Sequence, residues 1–145
     1  MTPSQPGVIT FAFPGPLRDK LVAAVLSGKK TATSGLAIEW ELEGEPLPVV
    51  GQRHTVVDSD ERPVGVIETT SVEVMRLGDA DLRLARDEGE DFEDVAQWRL
   101  EHERFWNEEV VPTLPAGALP GLTDETQVLV WRFRLADRRG VTMSP

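Results

Sequence analysis

Between Pro63 and Leu77 the chain carries seven β-branched residues, Val64, Val66, Ile67, Thr69, Thr70, Val72 and Val74. Branching at Cβ stiffens a side chain and suits a pleated surface better than a helix, so this run predicts one long strand. Gly65 inside it marks a bulge. His54 to Asp58 reads as a strand paired to it through a hairpin loop at Ser59-Asp60-Glu61-Arg62. A last strand is expected from Thr126 to Leu135, where Val128, Val130, Arg132 and Arg134 alternate against Leu129, Trp131 and Phe133. Thr31 to Leu42 mixes small, β-branched and aromatic residues and reads as a strand or an extended loop. Glu43-Gly44-Glu45-Pro46-Leu47-Pro48 is a loop, because two prolines and a glycine forbid regular pairing.

Helical spacing appears in three places. Leu17, Leu21, Val22, Val25 and Leu26 form an apolar stripe from Leu17 to Ser27, and Gly28 is a natural stop. A short helix is expected from a cap at Asp79 through Leu82 and Ala85 to Glu88, with Gly89 past its end. A longer one is expected from Asp94 to Val111, with Val95, Trp98, His102, Phe105 and Val110 on one face. Pro112, Pro115 and Pro120 break the next segment into a loop. Residues 1–16 read as a loose arm with an apolar anchor at Phe11-Ala12-Phe13, and residues 137–145 as a disordered tail. Strands are few and long, and no regular strand–helix–strand alternation is present. The pattern is α+β, a small, partly closed β-barrel with flanking helices in a single domain.

The 145 residues carry 25 acidic and 15 basic side chains, a formal net charge of −10. Proteins that hold a long nucleic acid present a basic face, so the balance favours a small substrate and disfavours DNA and anionic membrane surfaces. There is no cysteine, which excludes disulfides and thiolate metal sites. No apolar run reaches the roughly 20 residues that span a bilayer. Met1 to Gly7 lacks the basic and apolar regions of a signal peptide, so a cytoplasmic location is expected.

The densest chemistry lies just past the first helix, in Gly28-Lys29-Lys30-Thr31-Ala32-Thr33-Ser34. Lys30 and Thr33 are three residues apart in an irregular segment and can face one pocket. A lysine closed off from water loses its preference for the charged form and can help deprotonate a hydroxyl or a water. The bland alternative is a solvated loop. In Asp87-Glu88-Gly89-Glu90-Asp91 a buried carboxylate could shuttle a proton, although acids near a helix start also simply complement its dipole. Trp98, Arg99 and His102 share about one helical turn; Arg99 and His102 could point at a polar pocket, and Trp40, Trp98 or Trp106 could stack on a base. Only two histidines exist, and no metal-ligand spacing, phosphate-binding loop or dinucleotide fingerprint is present. No metal or cofactor is expected.

Taken together, these motifs resemble the ASCH domain family. Gly28-x-Lys30-x-x-Thr33 after an amphipathic helix is similar to its signature. Glu43 to Pro48 followed by Gly51, Val66-Ile67-Glu68-Thr69-Thr70, Glu88-Gly89-Glu90 and Trp98-Arg99-x-x-His102-x-x-Phe105 are similar to its longer bacterial branch. The resemblance covers residues 17–136 and implies a PUA-like β-barrel with a cleft between barrel and helices. It implies two activities. One is an amidohydrolase that removes the acyl group from N4-acylated cytidines without a metal, with catalytic lysine, threonine and glutamate at Lys30, Thr33 and Glu88. Lys29, Ser34, Trp40, Trp98, Arg99 and His102 would then bind substrate, and the partner would be a small nucleoside. The other is a ribonuclease or a non-catalytic RNA-binding module, with Lys29, Lys30, Arg53, Arg99 and Arg132 as the phosphate clamp. Ser34 stands where many members carry arginine.

Overall fold

A computed structural model describes residues 7–137. The long strand is the spine: β4 runs from Pro63 to Arg76. Its first half pairs antiparallel with β3 (Arg53–Val57), and from Val66 onward it pairs antiparallel with β5 (Gln127–Asp137). The far side of β5 takes β2 (Ala32–Leu36), and the far side of β3 takes the two-residue β1 (Val8–Ile9), the one parallel pair among the described residues. The order is therefore β1-β3-β4-β5-β2. Gly65 sits opposite Val56, where the β3–β4 register slips. A Cβ there would lie 2.9 Å from Leu26 Cδ2, so the glycine also admits the end of the first helix. The sheet stays open. Its edges β1 and β2 do not pair with each other, because β1 is two residues long and β2 turns into a helix at Ala37. The closed part of the expected barrel is thus absent, while the α+β class with flanking helices holds.

Helix α1 spans Pro16–Leu26. Proline at its first turn loses no hydrogen bond, and Gly28, at φ +83°, ends it. Leu21, Val22 and Val25 are buried against one face of the sheet, with Phe11, Val56, Ile67, Leu129, Trp131 and Phe133. The segment left open as strand or loop divides: Ala32–Leu36 is β2, and Ala37–Glu43 is helix α2, which closes at Gly44. Its Ala37 and Trp40, three residues apart, turn inward. Helix α3 is Leu82–Asp87, capped by Asp81 rather than Asp79; the Asp81 carboxylate accepts from the Leu84 amide. Helix α4 is Val95–Phe105, capped by Asp94. Instead of running on to Val111 as α-helix, it widens into a π turn over Trp106–Val110 and tightens into a 3₁₀ turn over Val111–Thr113. Helices α3 and α4 cover the other face of the sheet, where Val128 and Val130 meet Leu84, Ala85, Trp98 and Trp106. Phe105 packs against both cores.

The arm is not loose from residue 7 onward: β1 is in the sheet and Phe11 is fully buried. Of the expected tail, Asp137 is the last residue of β5, and 138–145 lie outside the described residues. Among the described residues no helix is long and apolar enough to cross a membrane.

Candidate functional site

The segment after α1 and the end of α3 meet beside edge strand β2. The segment after α1 carries Lys30, whose amide donates to the Ala24 carbonyl, and Thr31, whose amide donates to the Asp87 carbonyl at the end of α3. Gly89, at φ +72°, then lets the chain press on that segment: a Cβ there would lie 2.8 Å from both the Lys30 N and Cα. This approach delivers the Glu88 side chain to Lys30 across 58 positions of sequence.

Glu88 is 1% exposed and accepts four side-chain hydrogen bonds. Ser34 Oγ (2.6 Å) and Trp98 Nε1 (2.8 Å) both donate to Oε2. Lys30 Nζ (3.4 Å) and His102 Nε2 (3.2 Å) both meet Oε1. Lys30 Nζ also donates to the Glu88 carbonyl at 3.1 Å. One oxygen is held by two short bonds to fixed groups, and the other faces the two basic groups. His102 Nδ1 lies 2.8 Å from the Trp98 carbonyl. A carbonyl and a carboxylate both accept, so making both bonds requires a proton on each ring nitrogen. Burial alone would push His102 down, but the Glu88 charge beside it outweighs that and raises it above its ordinary value. Burial alone would likewise push Glu88 up; the charges of His102 and Lys30, with the His102 and Ser34 hydrogen bonds, hold it far below the carboxylate range instead.

A cleft of about 450 Å³ opens above this group. Lys30, Thr33, Ser34, Glu88 and His102 line it, and so do the aromatic rings of Phe13, Phe92, Phe105 and Trp106. Glu90, Glu101, Glu108 and Glu109 also border it. Arg104, its remaining basic lining residue, is tied to Glu101 at 2.6 Å.

The trio Lys30, Thr33 and Glu88 therefore converges on one cleft, joined by Ser34 and His102. Trp106, one of the three tryptophans expected to stack on a base, also lines the cleft, whereas Lys29, Trp40, Trp98 and Arg99 do not. Trp40 is buried in the opposite core, edge-on to Trp131 with ring centroids 6.0 Å apart. Trp98 is fully buried and presents its indole N–H to Glu88, so it anchors the carboxylate and leaves no face for a base. Arg99 turns to Asp124 and Glu103. Lys29 is half-exposed and paired to Asp91 at 2.6 Å. Periodicity does not separate these, because an aromatic residue on a helix reads alike whether it meets core or cleft. Glu90 lies in the acidic run already singled out, whereas Phe92 escapes the sequence reading and Phe13, read as part of an apolar anchor with Phe11, instead lines the cleft.

Glu88, Glu90 and His102 offer ligand atoms within 4.8 Å of one another. The donor set does not fit a cation: Glu88 is saturated by four donors, and His102 turns an N–H toward it.

A family model described as the ASCH domain matches residues 8–136. No curated protein matches the sequence. Among solved structures, protein EF3133 from Enterococcus faecalis V583, described as family DUF984, is 28% identical with a TM-score of 0.79, covering 92% of this chain and 77% of its own. An ASCH domain from Lactobacillus crispatus JV V101 is 22% identical with a TM-score of 0.78, covering 90% and 79%. A point mutant of ZmASCH from Zymomonas mobilis is more distant, at 15% identity and a TM-score of 0.51, covering 80% and 63%. The architecture is thus the PUA-like α+β fold, with its sheet open.

Proposed function

The chain belongs to the ASCH domain family, and on that footing we propose that it is a metal-independent amidohydrolase that removes the acyl group from N4-acylated cytidine nucleosides. The observation that carries this reading is the buried Lys30–Glu88 contact, 3.4 Å long, in the floor of a cleft that Thr33 also lines.

Lys30 passes a proton to the Glu88 carboxylate it contacts, Thr33 Oγ attacks the acyl carbonyl, and the hydroxyl proton returns Lys30 to its charged form. As the C–N bond breaks, the leaving exocyclic amine takes a proton by way of Glu88 Oε1, the oxygen shared by Lys30 and His102. Water then hydrolyses the acyl-threonine ester. Glu88 is held ionised, so its part is to align the two basic groups and pass a proton between them and the substrate. His102 is the added member of the set.

Charge favours a nucleoside over RNA. Every member of the expected phosphate clamp is already paired: Lys29 with Asp91, Lys30 with Glu88, Arg53 with Glu68, Arg99 with Asp124 and Arg132 with Asp87. The four glutamates bordering the cleft repel a polyanion further.

The test is release of cytidine from N4-acetylcytidine with EDTA present, comparing the wild type with Thr33→Ala. We expect turnover by the wild type and a loss of at least about 10³-fold in the variant, as for removal of other nucleophiles. Equal rates would remove Thr33 from the mechanism. No turnover by either, with cleavage or retention of single-stranded RNA, would favour the ribonuclease or RNA-binding reading.

A further inference from the structure

One wall of the cleft belongs to a segment that the proposed chemistry does not use. Residues 12–17 form it, ahead of and at the start of α1. Within this wall Phe13 is 50% exposed, whereas Phe11 two residues earlier is fully buried. The Phe13 ring lies 6.5 Å from that of Phe105, tilted by 33°, within the range of an aromatic pair. Two neighbouring rings at the mouth of a cleft are apolar area left in water, which a flat ligand can cover.

The way this wall is held is unusual. Arg18, on the first turn of α1, is 4% exposed. Its Nε donates to the Phe11 carbonyl (3.2 Å) and its Nη2 to the Ala12 carbonyl (2.9 Å). Its Nη1 donates to the Asp58 carbonyl (3.3 Å) and to Glu61 Oε1 (3.1 Å). A buried guanidinium is costly unless its N–H groups are satisfied, and an apolar side chain would pack α1 at no such cost. What Arg18 gives in return is a shape. It collects two successive carbonyls of the arm and fastens them to the β3–β4 hairpin loop. Between them Ala12 takes φ +58°, a left-handed conformation that an alanine adopts only under constraint. That turn sends Phe11 into the core and Phe13 out to the cleft. A second clip lies beyond Phe13: the Gly15 amide donates to Ser59 Oγ (2.9 Å), whose hydroxyl is 2.6 Å from Asp19 Oδ1. Phe13 is thus fastened on both sides to the same hairpin loop.

The geometry points to Phe13 as a specificity-determining residue that, with Phe105, stacks a planar base, and to Arg18 as the residue that positions it. This rests on the nucleoside reading for the identity of the flat ligand. It does not rest on the hydrolytic chemistry.

The experiment measures calorimetric binding of cytidine and N4-acetylcytidine, alongside turnover of the latter, for the wild type, Phe13→Ala, Phe13→Tyr and Arg18→Lys. Loss of one stacking ring should weaken binding and raise KM about ten- to a hundred-fold, leave kcat within about two-fold, and be restored in Phe13→Tyr. Arg18→Lys keeps the charge but not the fork. It should raise KM in the same way and add nothing when combined with Phe13→Ala, as coupled residues do. If Arg18→Lys fails to fold, Ser59→Ala loosens the other clip and is read identically. Equal binding and KM in the wild type and Phe13→Ala overturn the inference. Additive losses overturn the positioning role of Arg18. Phe13-dependent binding without turnover refutes the amidohydrolase and leaves the platform standing. Turnover indifferent to Phe13 does the reverse. A wild type that neither binds nor hydrolyses these nucleosides refutes both.

Discussion

A carboxylate has about four lone-pair positions, and Glu88 fills them with Lys30, Ser34, Trp98 and His102. A substrate can therefore engage it only by displacing a donor, and Lys30, with the longest contact at 3.4 Å, is the one that yields. Glu88→Gln removes the charge and leaves two buried basic groups facing an amide. We expect it to lose about 3–5 kcal/mol of stability, as when one partner of a buried pair is removed, together with turnover; a denaturant titration checks the first. Titration of the same group sets a pH dependence. The folded-state value of Glu88 lies below its ordinary 4.5, so its contribution is present above that pH and is lost on acidification. His102 lies above its ordinary 6.5, so its contribution is full below that pH and is lost as pH rises through the raised value. Melting temperatures from pH 6 to 9 should fall more steeply for the wild type than for His102→Gln. Spacing brings Lys30 and Thr33 forward only as candidates, and the acidic run does not single out Glu88 from its neighbours; it is the resemblance to the family that names the three together. That Ser34 binds Glu88, or that Trp98 turns its N–H inward, depends on side-chain direction, which spacing does not carry.

Between elements, the decisive join is that of α3 to the segment after α1. Gly89 is legible as a helix stop, but not as a point of close backbone approach, because nothing local records which stretch of chain will fill the place of its Cβ. Gly89→Ala adds a Cβ against the backbone of Lys30 at a φ of +72°. It should cost more than the usual 1 kcal/mol or so of a glycine replacement in a left-handed turn. It should also abolish turnover by moving Lys30 off Glu88, whereas Gly117→Ala, at φ +81° with nothing within 4 Å, should bear only the conformational cost. Equal melting temperatures and rates for the two would refute the contact's role. The long strands are readable because β-branched density and alternation are local signals. Helix α2 is not: Ile38 and Trp40 lend Ala37–Glu43 a strand-like composition, and its seven residues are too few for a period to stand out. The expected barrel fails for a related reason, since closure depends on what β2 does at its end.

The molecule as a whole is a sheet with a core on each face, and each core holds its own tryptophan pair, Trp40 with Trp131 and Trp98 with Trp106. Strand β5 alternates between the two cores, and Phe105 joins them, so they should unfold as one unit. In Trp98→Phe/Trp106→Phe and in Trp40→Phe/Trp131→Phe, fluorescence and far-UV circular dichroism should give one shared midpoint within each protein. A split would mean two separable halves. The π turn at Trp106–Val110 lies where this body meets the cleft, and it bears Glu108 and Glu109. Adding or removing one residue elsewhere in a helix rotates everything beyond it by about 100°. A π turn already accommodates such a residue, so a single-codon deletion there can be absorbed with Trp106 and Val110 still seated in the core. A chain shortened by one residue at Glu108 or Glu109 should therefore present a different charge to whatever enters, with the buried Glu88 group beneath left in place.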